Sequence, residues 1–479
     1  MPLYSLSYLL FLGAVAAIYW LLPRAPWRKL WLLLASYAFY ILFDLRFAGL
    51  LLALTLAVWG LGQGIARGLH PRRLAWASVA LNLGLLAIFK YAGFFVSSAQ
   101  ALLQRAGAPA STSSLALLLP VGISFYTFQA MAYTTELYRR KAQPAGLLDF
   151  SLYLVFFPKL IAGPLASPQD FLRQVSTEVP QPRPSREAIS TALGRLLLGL
   201  VKKVLIADSL ASLADTAFRG ASLAGGAHFS TPLYLQGFYL YAFQIYADFS
   251  GYTDLACGSA ALLGLTLPEN FRQPYFAATL GDFWNRWHMS LTAWFRAYLF
   301  FPLSRWLLAR GGRQHAERAQ VVANLVTMVL IGSWHGAAWT FVLWGLWHAA
   351  LLTIERLARF KPAGRWQRLA AGVVTFHLVG IGWVLFRADS LASAGRFFVG
   401  LLSGQQMQWL GYYAPSVLLA AALVLGIDWF ATRDGGLAGQ LWPRLRPIAV
   451  TAGVVIVVVL GLLSYARGGD VRPFIYGQF

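Results

Sequence analysis

The feature that most constrains this chain is a series of apolar segments, each long enough or nearly long enough to cross a lipid bilayer. A membrane-spanning helix needs about 20 consecutive apolar residues. Hydrophobic residues make up 58% of the 479 and charged residues only 12%, whereas a soluble domain carries about 25% charged residues. The pattern therefore predicts an all-α, polytopic integral membrane protein. In its N-terminal part the predicted spans cover 3–22, 28–43, 47–66, 74–96 and 115–138.

Basic residues lie in short clusters between these spans, which is the pattern of cytoplasmic loops. The formal net charge is +21, but because the charges are distributed in this way we expect no nucleic-acid partner. Clusters follow the first, third and fifth spans, and the positive-inside rule then places the N-terminus outside and the clusters in the cytoplasm. Their members are Arg24, Arg28 and Lys29, then Arg67, Arg72 and Arg73, and finally Arg139, Arg140 and Lys141.

The segment 150–210 is predicted to be cytoplasmic or re-entrant. Its apolar pieces are short and are separated by helix-interrupting prolines, at Pro158, Pro164 and Pro168. The proline-rich stretch 179–185 predicts an extended linker. A helix is expected to start near Ser185, and because it carries Lys202 and Lys203 we place it at the cytoplasmic surface.

Two aspartates separate the next apolar segments, which cover 231–247 and 254–266. Asp248 and Asp254 bracket the sequence Phe-Ser-Gly-Tyr-Thr. Carboxylates at membrane depth are costly, so they usually face a protein interior or a water-filled cavity. Either these two line such a cavity, or they cap helix ends or pair with Arg272 or Arg286.

The C-terminal part adds a basic loop at 356–368, predicted to be cytoplasmic, and helices at about 369–386, 414–430 and 447–465. Cys257 is the only cysteine, so we expect neither an intrachain disulfide nor a metal site built on cysteine. It lies in an apolar segment, where we interpret it as packing. We expect no bound metal and no resident cofactor.

The segment 279–298 combines a helix start with an aromatic stripe. Thr279 followed by Asp282 resembles a capping box. At 100° per residue one face carries a single histidine among apolar residues, the full set being Trp284, Trp287, His288, Leu291, Trp294, Phe295 and Tyr298. This spacing predicts one amphipathic helix, interfacial or re-entrant, that carries His288.

The apolar run 320–355 is too long to be one spanning helix. At 1.5 Å per residue it would extend for about 54 Å, against roughly 30 Å for the bilayer core. It must therefore break, and Gly332 and Gly336 flank the place where it can. Irregular backbone at this depth requires surrounding protein or a wet cavity. A buried imidazole at His335 would stay neutral, which is the form that can take a proton from a hydroxyl.

The other histidines are less informative. His348 and His377 lie within apolar helices, where a histidine is most often a hydrogen-bonded core residue. The remaining three lie in polar loops and are expected to be solvated: His70, His228 and His315.

At these residues the chain resembles the membrane-bound O-acyltransferase (MBOAT) family, in its bacterial branch. The opening and closing motifs are similar to the alginate O-acetyltransferase AlgI subgroup, and the central motif is nearer the D-alanyl transferase DltB. The resemblance rests on eight motifs in the family's order: Ala-Ser-Tyr-Ala-Phe-Tyr (35–40), Gly-Ile-Ser-Phe-Tyr-Thr-Phe-Gln (122–129), Phe-Phe-Pro-Lys-Leu-Ile-Ala-Gly-Pro (156–164), Asp-Phe-Ser-Gly-Tyr-Thr-Asp (248–254), Pro-Glu-Asn-Phe-Arg-Gln-Pro-Tyr (268–275), Phe-Trp-Asn-Arg-Trp-His-Met-Ser-Leu (283–291), Trp-His-Gly-Ala (334–337) and Phe-Ile-Tyr-Gly-Gln-Phe (474–479).

The resemblance implies a ring of about 11 transmembrane helices, with re-entrant and amphipathic helices, around a central funnel in the bacterial inner membrane. His335 corresponds to the family's catalytic histidine and His288 to its second functional histidine. A substrate tunnel would be shaped by Trp287, Asn285, Trp334, Ser290 and Asp248. We predict a single domain over 1–479, with N-terminal transmembrane helices (1–141), cytoplasmic or re-entrant segments (142–230), a catalytic core (231–355) and C-terminal transmembrane helices (356–479).

The implied function is transfer of an acetyl group from a cytoplasmic thioester, acetyl-CoA, across the membrane. The acceptor would be an exported polysaccharide or an envelope glycan, reached through a separate periplasmic partner. Three departures from the subgroup leave acceptor and partner open: Ala297, the sequence at 302–307, and Gly477. One alternative is D-alanyl or other acyl transfer from a carrier-protein thioester. An alternative of a different class is a transporter or export subunit without chemistry of its own.

Overall fold

A computed structural model describes residues 1–107, 118–176, 182–223, 230–431 and 475. In that part of the chain the regular structure consists of helices, and no strand occurs. The predicted helix at 447–465, most of the motif at 474–479 and part of the linker at 179–185 lie outside the described residues. In its described part the protein is thus all-α.

Twenty α-helices occur in the described residues, several of them extended by short π-helical segments. Their bounds are α1 Leu6–Leu21, α2 Ala25–Ile41, α3 Leu45–Ala66, α4 Pro71–Leu86, α5 Ala92–Arg105, α6 Ile123–Tyr138, α7 Leu147–Val155, α8 Phe157–Leu160, α9 Pro168–Val175, α10 Arg186–Leu200, α11 Asp208–Ser222, α12 Thr231–Leu262, α13 Leu280–Trp284, α14 Met289–Phe295, α15 Phe301–Gly311, α16 Ala316–His335, α17 Trp339–Leu357, α18 Arg365–Arg387, α19 Leu391–Leu402 and α20 Leu410–Ala431.

Four helical stretches among the described residues are long and apolar enough to cross a membrane: Leu45–Ala66, Pro71–Arg105, Arg365–Arg387 and Met407–Trp429. Large apolar side chains are exposed on their surfaces, as a lipid-facing helix requires; examples are Leu52, Leu83, Val374 and Leu418. The predicted spans at 47–66, 74–96, 369–386 and 414–430 fall on these four stretches.

The chain forms two compact units. The first comprises Met1–Leu196 with Leu255–Pro268, and the second comprises Leu197–Asp254 with the described residues of Glu269–Phe479. In the first unit α3, α4 and α6 pack against one another, and the prolines of the 150–210 segment do interrupt it, giving the short helices α7, α8 and α9. α10 begins at Arg186, and Ser185 accepts a hydrogen bond from the Ala188 amide at 3.1 Å, so the predicted helix start is confirmed.

The first unit buries a lysine from one of the quoted motifs. Lys159 has no exposed surface. Its ammonium donates to Oε1 of Gln129 and to the carbonyl of Tyr153. It also lies 4.7 Å from the ring centroid of Tyr153 and 4.9 Å from that of Phe171. Neutral oxygens and aromatic faces therefore surround this side-chain nitrogen inside the protein.

In the second unit the aspartates of the Phe-Ser-Gly-Tyr-Thr motif lie within one helix, so the prediction of two segments with helix-capping aspartates is wrong. α12 runs without interruption for 32 residues. Gly251 faces the π-helical segment Val201–Ala207, and a Cβ added there would lie 2.9 Å from the Gly199 carbonyl oxygen. This close approach brings two lysines of the π-helical segment alongside α12.

Those lysines supply the charge that compensates the aspartates. The Lys203 ammonium lies 2.7 Å from Oδ1 of Asp248, and the Lys202 ammonium lies 2.8 Å from Oδ2 of Asp254. Pairing of Asp248 with an arginine is therefore a wrong prediction. Lys203 is buried, with a side chain only 2% exposed, and the placement of its helix at the cytoplasmic surface stays a prediction. Burial beside a carboxylate offsets the cost of removing the ammonium from water.

Candidate active site

The predicted helix from Thr279 through Tyr298 starts as expected but then breaks. Thr279 is the N-cap of α13, and its hydroxyl accepts a hydrogen bond from the Asp282 amide at 3.1 Å. α13 ends at Trp284, and α14 begins at Met289 after a turn. The prediction of a single continuous helix is therefore wrong, and the break lies immediately before His288.

His288 is the N-cap of α14 and has a left-handed backbone, with φ 42° and ψ 52°. A few per cent of non-glycine residues adopt positive φ, and histidine is among those enriched there. The ring is 1% exposed and packs edge-on against Phe249 of α12, with centroids 4.6 Å apart. The turn therefore directs this imidazole into the interior of the second unit.

Asn270 supports this turn from the preceding loop. Its carbonyl accepts a hydrogen bond from the Met289 amide at 2.9 Å. Its Oδ1 accepts from the Ser290 hydroxyl at 2.6 Å and from the Ser290 amide at 3.3 Å. Two residues on, the Arg272 amide donates to the Arg286 carbonyl at 3.0 Å. The bonds from Met289 and Ser290 satisfy amides that the broken helix leaves without helical partners, and the bond from Arg272 satisfies a carbonyl of the turn.

His335 lies where the long apolar run ends its first helix, and the predicted break is confirmed. α16 ends at His335, Gly336 is its C-cap with extended backbone, and α17 begins at Trp339. The two helices form an antiparallel hairpin in close contact. A Cβ added at Gly345 would lie 2.5 Å from the Met328 carbonyl oxygen, and one at Gly332 would overlap the Phe341 carbonyl.

The two histidines meet although 46 residues separate them in the sequence. Their ring centroids are 6.2 Å apart with planes inclined by 44°. His335 is 4% exposed. Its other ring neighbours are Trp334, Trp344 and Phe386, at centroid distances of 4.9, 5.3 and 5.2 Å. A pair of imidazoles inside an aromatic enclosure can move a proton with little competition from water.

The MBOAT family model, for membrane-bound O-acyltransferases, matches residues 75–372 of this chain. The matched range contains both histidines and the loop that supports them. The chain belongs to the MBOAT family. Membership makes it an O-acyltransferase and favours enzymatic chemistry over the transporter alternative.

Three relatives indicate the breadth of that family around this chain. A probable alginate O-acetylase AlgI of Azotobacter vinelandii is 37% identical over 82% of this chain and 76% of its own length. A peptidoglycan O-acetyltransferase of Helicobacter pylori is 33% identical over 78% of this chain and 73% of its own. A teichoic acid D-alanyltransferase of Bacillus subtilis is 28% identical over 56% of this chain and 68% of its own.

The other MBOAT residues proposed from the sequence are distributed around this centre. Trp334 contacts both histidines, with 6.2 Å between its ring centroid and that of His288. Trp287 is buried in a neighbouring aromatic cluster, stacked on Phe283 at 5.6 Å. Asn285 is exposed at the end of α13.

Ser290 and Asp248 make structural hydrogen bonds. The Ser290 hydroxyl donates to Asn270. Asp248, besides pairing with Lys203, accepts the Ile475 amide at 2.8 Å through Oδ2. The proposed tunnel-lining roles of the two residues stay predictions.

Sequence reasoning missed several residues that form this candidate site. Trp344, Phe386 and Phe249 enclose the histidines, but aromatic residues on apolar helices give no sign of which way they face. Asn270 is different, because it is a polar residue inside the quoted Pro-Glu-Asn-Phe-Arg-Gln-Pro-Tyr motif and is completely buried. Its place in that motif could have identified Asn270 as a candidate from the sequence.

Of the remaining histidines, one differs from its prediction. His377 is hydrogen-bonded as expected, to the Tyr239 hydroxyl at 2.9 Å and near the Val373 carbonyl at 2.8 Å. His70 and His315 are exposed, and His228 lies outside the described residues. His348 differs from expectation: it is completely buried between Trp284 and Trp344, and its ring nitrogens have no hydrogen-bond partner among the described residues.

Proposed function

We propose that this acyltransferase moves an acetyl group from cytoplasmic acetyl-CoA across the membrane, for O-acetylation of an exported polysaccharide or an envelope glycan. The observation that carries the proposal is the meeting of His288 and His335 inside an aromatic enclosure. The Azotobacter relative is a probable alginate O-acetylase and the Helicobacter relative a peptidoglycan O-acetyltransferase, which supports an envelope glycan as the final acceptor. A separate periplasmic partner would deliver the acetyl group to that glycan.

His335 is the general base in this proposal. Its neutral imidazole takes the proton of the acceptor hydroxyl as the hydroxyl oxygen attacks the thioester carbonyl carbon. The new C–O bond forms, the C–S bond breaks, and the proton held by His335 passes to the departing thiolate. Exclusion of water by Trp334, Trp344 and Phe386 would suppress hydrolysis of the thioester.

His288 would position the acyl group or take part in the proton transfer. Its fixed backbone and the support from Asn270 suit it to holding one geometry. Trp287, Asn285, Ser290 and Asp248 complete the proposed tunnel.

The proposed membrane arrangement is the family's ring of about 11 transmembrane helices around a funnel in the bacterial inner membrane. The N-terminus would lie outside, which the basic clusters after the first, third and fifth predicted spans support. Acetyl-CoA would then enter from the side of the 356–368 loop. The single-domain division of the chain stays a prediction.

A second donor has specific support. The Bacillus relative is a teichoic acid D-alanyltransferase, and the central motif at 283–291 is nearest that subgroup. Transfer of D-alanine or another acyl group from a carrier-protein thioester would use the same two histidines. Donor choice is therefore part of the test.

The test uses purified protein in nanodiscs with acetyl-CoA labelled on the acetyl group. Thioester cleavage and label transfer are followed for the wild type, His335→Ala and His315→Ala, with and without candidate periplasmic partners. His315 is exposed and remote from the site, so its replacement controls for the loss of a histidine as such. We expect turnover in the wild type and His315→Ala, and a loss of at least about 10²-fold in His335→Ala.

The same assay is then run with a D-alanylated carrier protein. If turnover occurs with that donor alone, the carrier-protein thioester is the donor instead of acetyl-CoA, and the proposed roles of the two histidines are unchanged. Equal turnover in the wild type and His335→Ala would refute the proposed base.

A further inference from the structure

Glu355, near the end of α17, caps the short helix that precedes His288. Its Oε2 accepts a hydrogen bond from the Leu280 amide at 2.5 Å, and its Oε1 accepts from the Gly281 amide at 3.0 Å. The next amide, that of Asp282, is taken by Thr279. One side chain from a different helix thus satisfies two of the first three amides of α13.

The chemistry of this contact makes it strong for its size. A carboxylate beside a helix N-terminus is stabilised by the partial positive charge of the free amides. Hydrogen bonds to a charged acceptor are shorter and about twice as strong as neutral ones. Because two oxygens bind two successive amides, the contact fixes orientation as well as distance.

The position of Glu355 links the two halves of the site. α17 is held against α16 by the glycine contacts at Gly332 and Gly345, and α16 ends at His335. α13 leads through one turn into His288. The Glu355 carboxylate therefore ties the segment that carries one histidine to the hairpin that carries the other.

We propose that Glu355 is a positioning residue that sets the separation of His288 and His335 by anchoring the start of α13 to α17. Loss of the anchor leaves both imidazoles present but lets the turn at 285–288 shift. A displacement of about 1 Å in a catalytic geometry can cost up to about 10²-fold in rate. The effect of a Glu355 variant should therefore fall on kcat, with the KM for the donor little changed.

The first measurement is hydrogen–deuterium exchange of the peptide that contains the Leu280 and Gly281 amides, and it does not depend on turnover. Glu355→Gln keeps the shape of the side chain but replaces one acceptor oxygen with a donor. We expect exchange at these amides to rise by about tenfold, in line with the loss of a charge-assisted bond. Glu317→Gln, which changes an exposed carboxylate at the start of α16, should leave it unchanged.

The second measurement is steady-state kinetics on the same proteins, and this part rests on the proposed acyl transfer. We expect kcat to fall by roughly ten- to a hundredfold in Glu355→Gln, with partial recovery in Glu355→Asp and a wild-type rate in Glu317→Gln. Gly281→Ala tests the contact from its other side, because the added Cβ would lie 3.1 Å from Oε1 of Glu355. It should shift exchange and kcat in the same direction by less, and it serves if Glu355→Gln does not fold.

The two measurements distinguish the positioning role of Glu355 from the proposed acyl transfer. Unchanged exchange in Glu355→Gln would overturn the anchor. Faster exchange with wild-type kcat would show that the anchor exists but does not position His288, which also overturns the inference. Absence of turnover in the wild type with either donor would count against the proposed function, while exchange would still decide the anchor.

Discussion

The ammonium of Lys203 lies 2.7 Å from Oδ1 of Asp248, and the two side chains are only 2% and 1% exposed. Lys203 also lies 2.7 Å from Asp208. A buried cation between two carboxylates fixes the π-helical segment to α12, one residue away from Phe249, which packs on His288. An ion pair at this depth is costly to break because the remaining charge has no water to solvate it.

Replacing Lys203 with Met should therefore lower the free energy of unfolding by about 3–5 kcal/mol. Detergent-induced unfolding followed by tryptophan fluorescence measures this. Arg46→Met is the control, since Arg46 pairs with Asp44 on an exposed surface, and it should leave the unfolding midpoint unchanged. Equal stability of the Lys203→Met protein and the wild type would contradict burial of an essential pair.

The α16–α17 contact predicts a contrast between two glycines. Gly345→Ala places a methyl 2.5 Å from the Met328 carbonyl oxygen, so the helices must separate, at a cost of about 1–3 kcal/mol. Gly49→Ala on α3 meets nothing within 4 Å and should be neutral or stabilising by up to about 1 kcal/mol. Thermal unfolding of both variants checks the difference, and a Gly345→Ala protein as stable as Gly49→Ala would argue against the close contact.

Replacing Asn270 should lower the rate of acyl transfer more than it lowers the stability of the fold. Asn270→Ala removes the acceptor for the Ser290 hydroxyl and amide, which frees the first turn of α14 beside His288. We expect kcat for acyl transfer to fall by roughly tenfold or more. Asn270→Asp keeps an oxygen at the same position and should recover most of the rate. If the rate in Asn270→Asp is as low as in Asn270→Ala, the acceptor oxygen at position 270 does not explain the loss of rate.

His348 gives the opposite expectation, because its nitrogens have no partner in the described part of the chain and no role in the proposed mechanism. His348→Leu removes a polar ring from an apolar site, so stability should be unchanged or raised by about 1 kcal/mol. Because His348 takes no part in the proposed mechanism, the rate of acyl transfer should stay close to that of the wild type. A loss of turnover comparable to that of His335→Ala would instead assign this imidazole to the reaction.

Features that depend on composition and on local sequence could be predicted. The break at Gly336 follows from the length of an apolar run, and the start of α13 follows from the Thr279 cap. The two histidines were identified because their motifs resemble those of a family. Each of these signals is contained in a few neighbouring residues.

Features that depend on long-range packing could not be predicted. Lys203 has one partner nearby in the sequence, Asp208, but its buried partner Asp248 lies 45 residues away, so the local sequence does not indicate that Lys203 is buried. The helical periodicity around His288 is genuine, yet hydrogen bonds that Asn270 accepts from Met289 and Ser290 stabilise a turn there instead. Periodicity describes which face a helix would bury, and it gives no information about whether tertiary contacts interrupt the helix.

The left-handed backbone at His288 has a consequence for saturation mutagenesis at that codon. Alanine and the β-branched residues would incur a conformational penalty as well as the loss of the ring, whereas glycine and asparagine tolerate positive φ. The activities of the variants at position 288 should therefore reflect two independent effects, the loss of the imidazole and the conformational penalty of the backbone. The difference in activity between the wild type and His288→Asn measures the contribution of the imidazole itself. The difference between His288→Gly and His288→Val measures the cost of the positive φ.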